Sequence, residues 1–539
     1  MAATCQTKGQ TFFTDLPPLV VGDFQAAGGL GGGWFPFKYS LDKFAGVGLS
    51  TAANSPAGEL VLDLGLTGWH RLHVAHTPAV RMWLDGETGY CEVPGDPYAV
   101  RDVAFPAADF TGRKLHIAPV RGAEVNRELI LFFLRAEPCD PPVSHRNLIV
   151  TDDGHGDFWQ GMDGPRDLYR HIYPFRDSDV FRMVWGVYGG GPLSLNPDSK
   201  VAESPIRPEE QLFYDGEYRF TRSLQRFKDA GADPLAVVRQ ATREYRLELH
   251  YYHRMSAFYG PFPHVGWNTK FFLAHPEWRC RDEFGQTLNF MSYAYPQVQD
   301  YILAYFDELL DYDPEGLCLA FNRGLPLMIC EEPVIEAYRR KYGREPKLPE
   351  EVDTPELQAV KAELLADFVA RVRGLAAERG KVVSCIVPRD LEHNRLFGLD
   401  AELLITRGLV ETVMVGAGHG DAGALNDNLT AVQALKALGR QAGVKVYAGG
   451  SQAVHGKAWV GDLQTRAQRM ANILDAGLDG GWFWDAEGIF DQNWEALRRF
   501  GDRATLDRMV RGEWPDNPEY DTLSIHDLQV TRYNPWHAY

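Results

Sequence analysis

Cysteine is scarce in this chain: seven in 539 residues, scattered and odd in number. That excludes a disulfide framework and a Cys-x-x-Cys metal knuckle. The cysteines read as reduced thiols. The first residues, Met-Ala-Ala-Thr-Cys-Gln-Thr-Lys-Gly-Gln, hold no apolar stretch of the kind that leads a protein to export. Both features point to a cytoplasmic protein, although a chain trimmed after export starts in the same way. Long apolar runs are missing too. The greasiest segment, Leu129 to Leu134, is far too short to cross a bilayer. Basic residues are outnumbered, 55 Lys and Arg against 73 Asp and Glu, for a formal charge of -18. This excludes the broad basic surface that nucleic acid or an anionic membrane requires, while leaving room for a local basic pocket facing an acidic sugar. What is present is ordinary globular material, 45% hydrophobic and 24% charged, in a chain too long for one core. Two or three domains are expected.

From Phe12 to about Pro138 the pattern is short alternating runs broken by Gly, Pro and Asp. Gly58 to Leu64, Trp69 to Val74, Val80 to Leu84, Lys114 to Ile117 and Leu129 to Leu134 read as strands, with Asp85-Gly86 and Thr111-Gly112 as turns. No helical period competes. Residues 1–140 are therefore expected to form a β-sandwich, jelly-roll-like domain. The glycine cluster from Gly28 to Gly33 lacks the Lys-Ser/Thr of a phosphate loop and reads as a turn.

After a linker at Cys139-Asp-Pro-Pro-Val the grammar becomes strand, loop, helix, repeated eight times. The strand candidates begin at Asn147, Val180, His253, Gly316, Val382, Glu411, Val444 and Gly481. Helices with apolar residues three and four apart are expected over Gln297 to Leu310, Pro355 to Glu378, Asn428 to Leu438 and Leu463 to Ala476. Eight such units over 141–515 predict an α/β fold, a closed (β/α)₈ TIM barrel. A doubly wound open sheet is the alternative, but its glycine fingerprint is missing from the first unit. Residues 516–539 are expected to form an extension packed on the preceding domains.

In a barrel of this kind chemistry collects where strands give way to βα loops. Those positions hold Asp153 and His155 after strand one, Tyr259 and Asn268 after strand three, and Asn322, Arg323, Glu331 and Glu332 after strand four. Asp390 and His393 follow strand five, and Trp484 and Asp485 stand at strand eight. Glycosidic cleavage needs two carboxyl groups flanking the bond. Glu331, Glu332, Asp485 and Asp153 are the catalytic candidates, and Arg323, Asn322, Tyr259, His155, Asp390, His393, Trp484 and Asn268 the substrate-binding ones. Each has a plainer reading. Glu331 and Glu332 precede Pro333 at a helix start, where acids complement the dipole. Asp153 precedes Gly154 in a turn, and Arg323 could serve an ion pair. His155-x-Asp157 and His419-x-Asp421 could each supply two metal ligands, but strand one lacks a His-x-His pair, so neither a metal nor another cofactor is expected.

Phe271-Phe-Leu-Ala-His-Pro-Glu-Trp, Leu288-Asn-Phe and Tyr295-Pro-Gln-Val-Gln-Asp-Tyr resemble the family-10-like glycosyl hydrolase proteins of bacteria. So do Gly316-Leu-Cys-Leu-Ala-Phe-Asn-Arg, Glu331-Glu-Pro, Tyr338-Arg-Arg-Lys-Tyr-Gly and Gly480-Gly-Trp-Phe-Trp-Asp. The resemblance covers most of 145–510, and the order of the motifs is its better part. It implies a (β/α)₈ fold with glycosidase chemistry, often beside a β-rich accessory domain. Two departures stand out. The pattern usually carries an acid within strand four, where this chain has Ala320. Many barrel glycosidases also end strand seven in a carboxylate, where this chain has Ala448-Gly449-Gly450-Ser451. An acid pair would have to come from elsewhere on the rim.

Three functions compete. The first is a glycoside hydrolase acting on an oligo- or polysaccharide. The second is another sugar enzyme, a lyase or metal-assisted hydrolase with Tyr259 or a histidine as base. The third is a non-catalytic glycan binder. For the front domain, packing on the barrel or a homo-oligomer contact is weighed ahead of sugar binding, which would need an exposed Trp34, Trp69 or Trp83.

Overall fold

The computed structural model describes residues 4–7, 9–22, 33–41, 44–51, 58–95, 100–120, 129–188, 193–256, 268–322, 325–417, 429–451, 462–484 and 494–514. The strands of the front part pair antiparallel. One sheet has seven strands (Thr4–Thr7, Gln10–Phe13, Trp34–Leu41, Phe44–Thr51, Trp69–Thr77, Arg101–Asp109 and Ile130–Pro138). The other has four (Leu60–Leu62, Val80–Leu84, Cys91–Val93 and Leu115–Pro119). Leu72, Val74, Val103, Phe105 and Leu134 of the first share a core with Leu62, Met82, Leu84 and Ile117 of the second. The hairpin Trp34–Leu41 with Phe44–Thr51 was not foreseen, because Pro36, Gly46 and Gly48 blur its alternation. Those glycines are there for space. A side chain at Gly46 would run into the Thr14 backbone, and one at Gly48 into the Leu131 carbonyl. The glycine cluster before Trp34 falls mostly outside the described residues.

Eight parallel strands then close into a barrel: β1 (Leu148–Asp152), β2 (Val180–Gly186), β3 (Glu248–Arg254), β4 (Gly316–Ala320), β5 (Val382–Val387), β6 (Thr412–Ala417), β7 (Lys445–Ser451) and β8 (Gly480–Trp484), with β8 pairing back onto β1. Closure removes every sheet edge. Helices form where apolar residues recur on one face and the start is favoured. Pro296–Leu310 has Pro296 in its first turn and buries Val298, Ile302, Tyr305, Phe306 and Leu309. Asp233 and Asp462 each cap the helix that follows by accepting a backbone N–H.

One strand lies elsewhere than the sequence predicts. The third barrel strand is Glu248–Arg254 rather than a run starting at His253. Leu249 and Tyr251 turn to the outer core, while His250, Tyr252 and Arg254 face the lumen. Polar lumen residues hid the strand from a search for apolar runs.

The lumen is filled rather than open. Ile149, Val184, Tyr252, Cys318, Ile386, Met414, Tyr447, Trp482 and Trp484 form one buried cluster. Trp482 lies across Gly416 and Gly449, where a Cβ would strike its ring and backbone, and its Nε1 donates to the Val415 carbonyl at 3.0 Å. This explains Gly449 of strand seven. The carbonyl and indole of Trp482 on β8 take the volume that a side chain there would need. Below it, Arg182 joins Glu248 and Glu411 at 2.8 and 3.2 Å and closes the floor.

The front part docks on the first βα unit, which carries α1 (His155–Gln160) and α2 (Arg166–Tyr169). Tyr90 donates to Asp167 at 2.6 Å, Glu87 receives Tyr173 and Arg176, and the Arg166 guanidinium lies 4.2 Å above the Trp83 ring. Trp34 and Trp83 are buried and Trp69 half-buried, so the front indoles serve packing. No helix of the described residues is long and apolar enough to cross a membrane.

Candidate active site

Alternation along β1 sends its last two acids to opposite sides. Asp152 continues the outer row of Leu148 and Val150, whereas Asp153 continues the inner row of Ile149. At the lumen mouth Asp153 is buried and held twice: Tyr252 donates its phenol to Oδ1 and Arg254 Nη2 pairs with Oδ2. Tyr252 and Arg254 reach it because they stand two apart on β3. The Tyr252 ring packs 5.8 Å from Trp484 of β8. Asn322 follows β4 by two residues, at the same end of the barrel.

Two polar groups here are left over. Both amide atoms of Asn322 and the Nε1 of Trp484 are shielded from solvent, and neither side chain has a hydrogen-bond partner among the described residues. Buried N–H and C=O groups without partners are costly, and water, a ligand or another part of the chain completes them. The mouth therefore offers a carboxylate, a guanidinium, a phenol, an amide and an indole N–H, a set suited to hydroxyl-rich ligands.

The other candidates are placed as follows. Asp485, Arg323 and Tyr259 lie outside the described residues, and so do His419 and Asp421. Asn268 is half-buried at the edge of the described chain. His155 turns away from the lumen. Its Nδ1 meets the Asp153 carbonyl at 3.0 Å, and its ring packs 5.9 Å from Trp159 and 5.6 Å from Tyr188. It does not converge with Asp157, so the His155-x-Asp157 metal pair is not formed. Asp390 is exposed and caps a short helix by accepting the His393 N–H at 3.0 Å. His393 is also exposed, with its ring against Phe397.

Glu331 is fully buried, but in loop backbone. Its carboxylate accepts the Ile329 N–H at 2.9 Å and the Arg281 N–H at 3.1 Å, and thereby fastens the segment after β4. Burial pushes its carboxyl up, against the pull of these amides. Glu332 is on the surface, its side chain 66% exposed. Sequence reasoning missed Tyr252 and Arg254. The run His250-Tyr-Tyr-His-Arg254 carries no polar alternation to read, because Tyr251 and His253 on its outer face are of the same kinds as Tyr252 and His250 on the inner one. Among the described residues one group has the makings of a metal centre: Asp152, Asp157 and His171.

No protein-family model matches the sequence, and no curated protein matches it either. Solved structures do. The chain is similar to alpha-L-fucosidase isoenzyme 2 from Paenibacillus thiaminolyticus at 14% identity, over 68% of this chain and 50% of that one, with a TM-score of 0.43. It thus spans half the length of that enzyme. It is also similar to the PgaB (BpsB) glycoside hydrolase domain from Bordetella bronchiseptica, at 12% identity, 65% and 97% coverage and a TM-score of 0.43. The xylanase 10B modules of Clostridium thermocellum match over 90% of this chain and 94% of theirs, at 11% identity and a TM-score of 0.31. These structural neighbours are glycoside hydrolases, and identities this low give no residue-by-residue correspondence. The class defined by the strand topology is the (β/α)₈ barrel with an antiparallel front module.

Proposed function

We propose that the protein is a glycoside hydrolase that binds a carbohydrate at the C-terminal mouth of the barrel. What supports this reading is that the unpartnered Asn322 amide and Trp484 N–H stand at the same strand-end level of the barrel as the lumen-facing Asp153. Sugar hydroxyls would complete the amide and the indole N–H, and the flat faces of Trp484 and Tyr252 suit the C–H surface of a pyranose. Asp153, held by a guanidinium and a phenol, fits the carboxylate role, either nucleophile or base. The acid comes from a second rim residue, for which Asp485, next in the chain after Trp484, is the choice. Arg323 and Tyr259 stand beside the same strand ends in sequence and are assigned to substrate. An acid pair about 5 Å apart would retain configuration, and one roughly 6.5–9.5 Å apart would invert it.

The test is product analysis of the full chain on a panel of oligosaccharides and aryl glycosides, with Asp485→Asn beside the wild type. Cleavage that this substitution abolishes supports the reading. Glycan binding without turnover replaces it with a binder, and an unsaturated product replaces it with a lyase.

A further inference from the structure

Behind the lumen wall, where the first βα unit meets the front sheets, three side chains converge: Asp152 at the end of β1, Asp157 in α1 and His171 just past α2. One donor atom of each lies within 4.8 Å of the other two. His171 Nε2 is 3.0 Å from Asp157 Oδ1, and Nδ1 is 3.9 Å from Asp152 Oδ2. Both carboxylates have zero exposure, and His171 is buried as well. The Gly154 N–H donates to Asp152 Oδ1 at 2.7 Å. Beyond that, Asp152 Oδ2 and both oxygens of Asp157 accept no hydrogen bond from any described residue.

Two carboxylates taken out of water side by side need a cation or protons. The nearest fixed charge, Arg170, donates its Nε to His171 Nε2 at 2.7 Å and lies 3.6 Å from Glu92 of the front sheet, so it does not bond to either aspartate. Burial, reinforced by the neighbouring carboxylates, pushes Asp152 well above the usual range. Burial likewise brings Asp157 up to about 7. Burial, with Arg170 second, holds His171 far below its usual value, so its ring is a neutral base. Three carboxylate oxygens without hydrogen bonds among the described residues and one imidazole are a ligand set. Its mixed oxygen and nitrogen donors suit zinc or manganese, whereas calcium and magnesium favour oxygen alone.

We propose that Asp152, Asp157 and His171 bind one divalent transition-metal ion that fastens the first βα unit beneath the front domain. An ion taken at Nε2 displaces the Arg170 guanidinium toward Glu92, which is already its neighbour. The ion sits on the outer side of β1 and is independent of the glycosidase reading.

The test uses the full chain, stripped with EDTA and dialysed, then titrated with Zn²⁺ or Mn²⁺ by calorimetry and followed by melting temperature. Ca²⁺ and Mg²⁺ are the oxygen-preferring controls. The expected result is one Zn²⁺ or Mn²⁺ per chain with a raised melting temperature. Affinity should fall at least about tenfold in both His171→Gln and Asp157→Asn, each checked for native circular dichroism. Asp152→Asn replaces Asp157→Asn if the latter does not fold, with the same expectation. Absence of stoichiometric binding overturns the site. So does binding that survives these substitutions, or an equal response to Ca²⁺ or Mg²⁺.

Discussion

Arg254 and Asp153, 101 positions apart in the chain, form a buried ion pair at the mouth of the barrel, their side chains 3% and 6% exposed. Neither charge has bulk water to fall back on. Arg254→Met leaves a buried carboxylate without its cation and is expected to destabilise the protein by about 3–5 kcal/mol. Adding Asp153→Asn to Arg254→Met should recover part of that loss. Denaturant melts of the two single variants and the double variant check the coupling.

Asn322 calls for the opposite outcome in stability. Its amide is buried with no partner among the described residues, so Asn322→Leu removes an unsatisfied group. Stability is expected to hold or rise, while affinity for any glycan that binds at the mouth drops roughly tenfold. Loss of stability without loss of affinity would show the amide to be structural.

Glu331 separates a brace from a catalyst. Glu331→Gln places an amide NH₂ among backbone N–H donors that now bond to carboxylate oxygens. A cost of about 1–3 kcal/mol in stability is expected, with turnover per folded molecule unchanged. Thermal melts beside initial rates read both.

Acid should weaken the protein through its buried histidines. Burial, helped by Arg254, takes His253 from its ordinary 6.5 down to about 3, and burial holds His250 far below 6.5 as well. In the folded state these rings stay neutral while the unfolded chain takes up protons below pH 6.5. Their contribution is therefore complete above pH 6.5 and is lost as pH falls below it. His253→Phe keeps a ring against Tyr305 and Phe306. It should make the loss of stability between pH 6.5 and 4 shallower by about one proton, as read from urea midpoints across that range.

The barrel was legible because its outer faces carry apolar runs that repeat with the helices. The helix over 355–378 and the strand over 382–387 fall where the sequence predicts them. The site was less so. A strand end marks a level in the barrel but not a side, and Asp152 and Asp153, adjacent in sequence, end up on opposite sides of one wall. Glu331 looked like a rim acid because its neighbours are a glutamate and a proline. Only its bonds to the Ile329 and Arg281 amides show that it serves the loop. His171 gave no signal at all, since its partners come from two other elements.

The central claim is that Asp153 works at a glycan-cleaving mouth, and the most direct measurement is the rate of Asp153→Asn on a glycan that the wild type hydrolyses. The account predicts a fall on the order of a thousandfold or more, with the fold intact by circular dichroism and glycan binding retained. A rate within about threefold of wild type in a folded Asp153→Asn would contradict it.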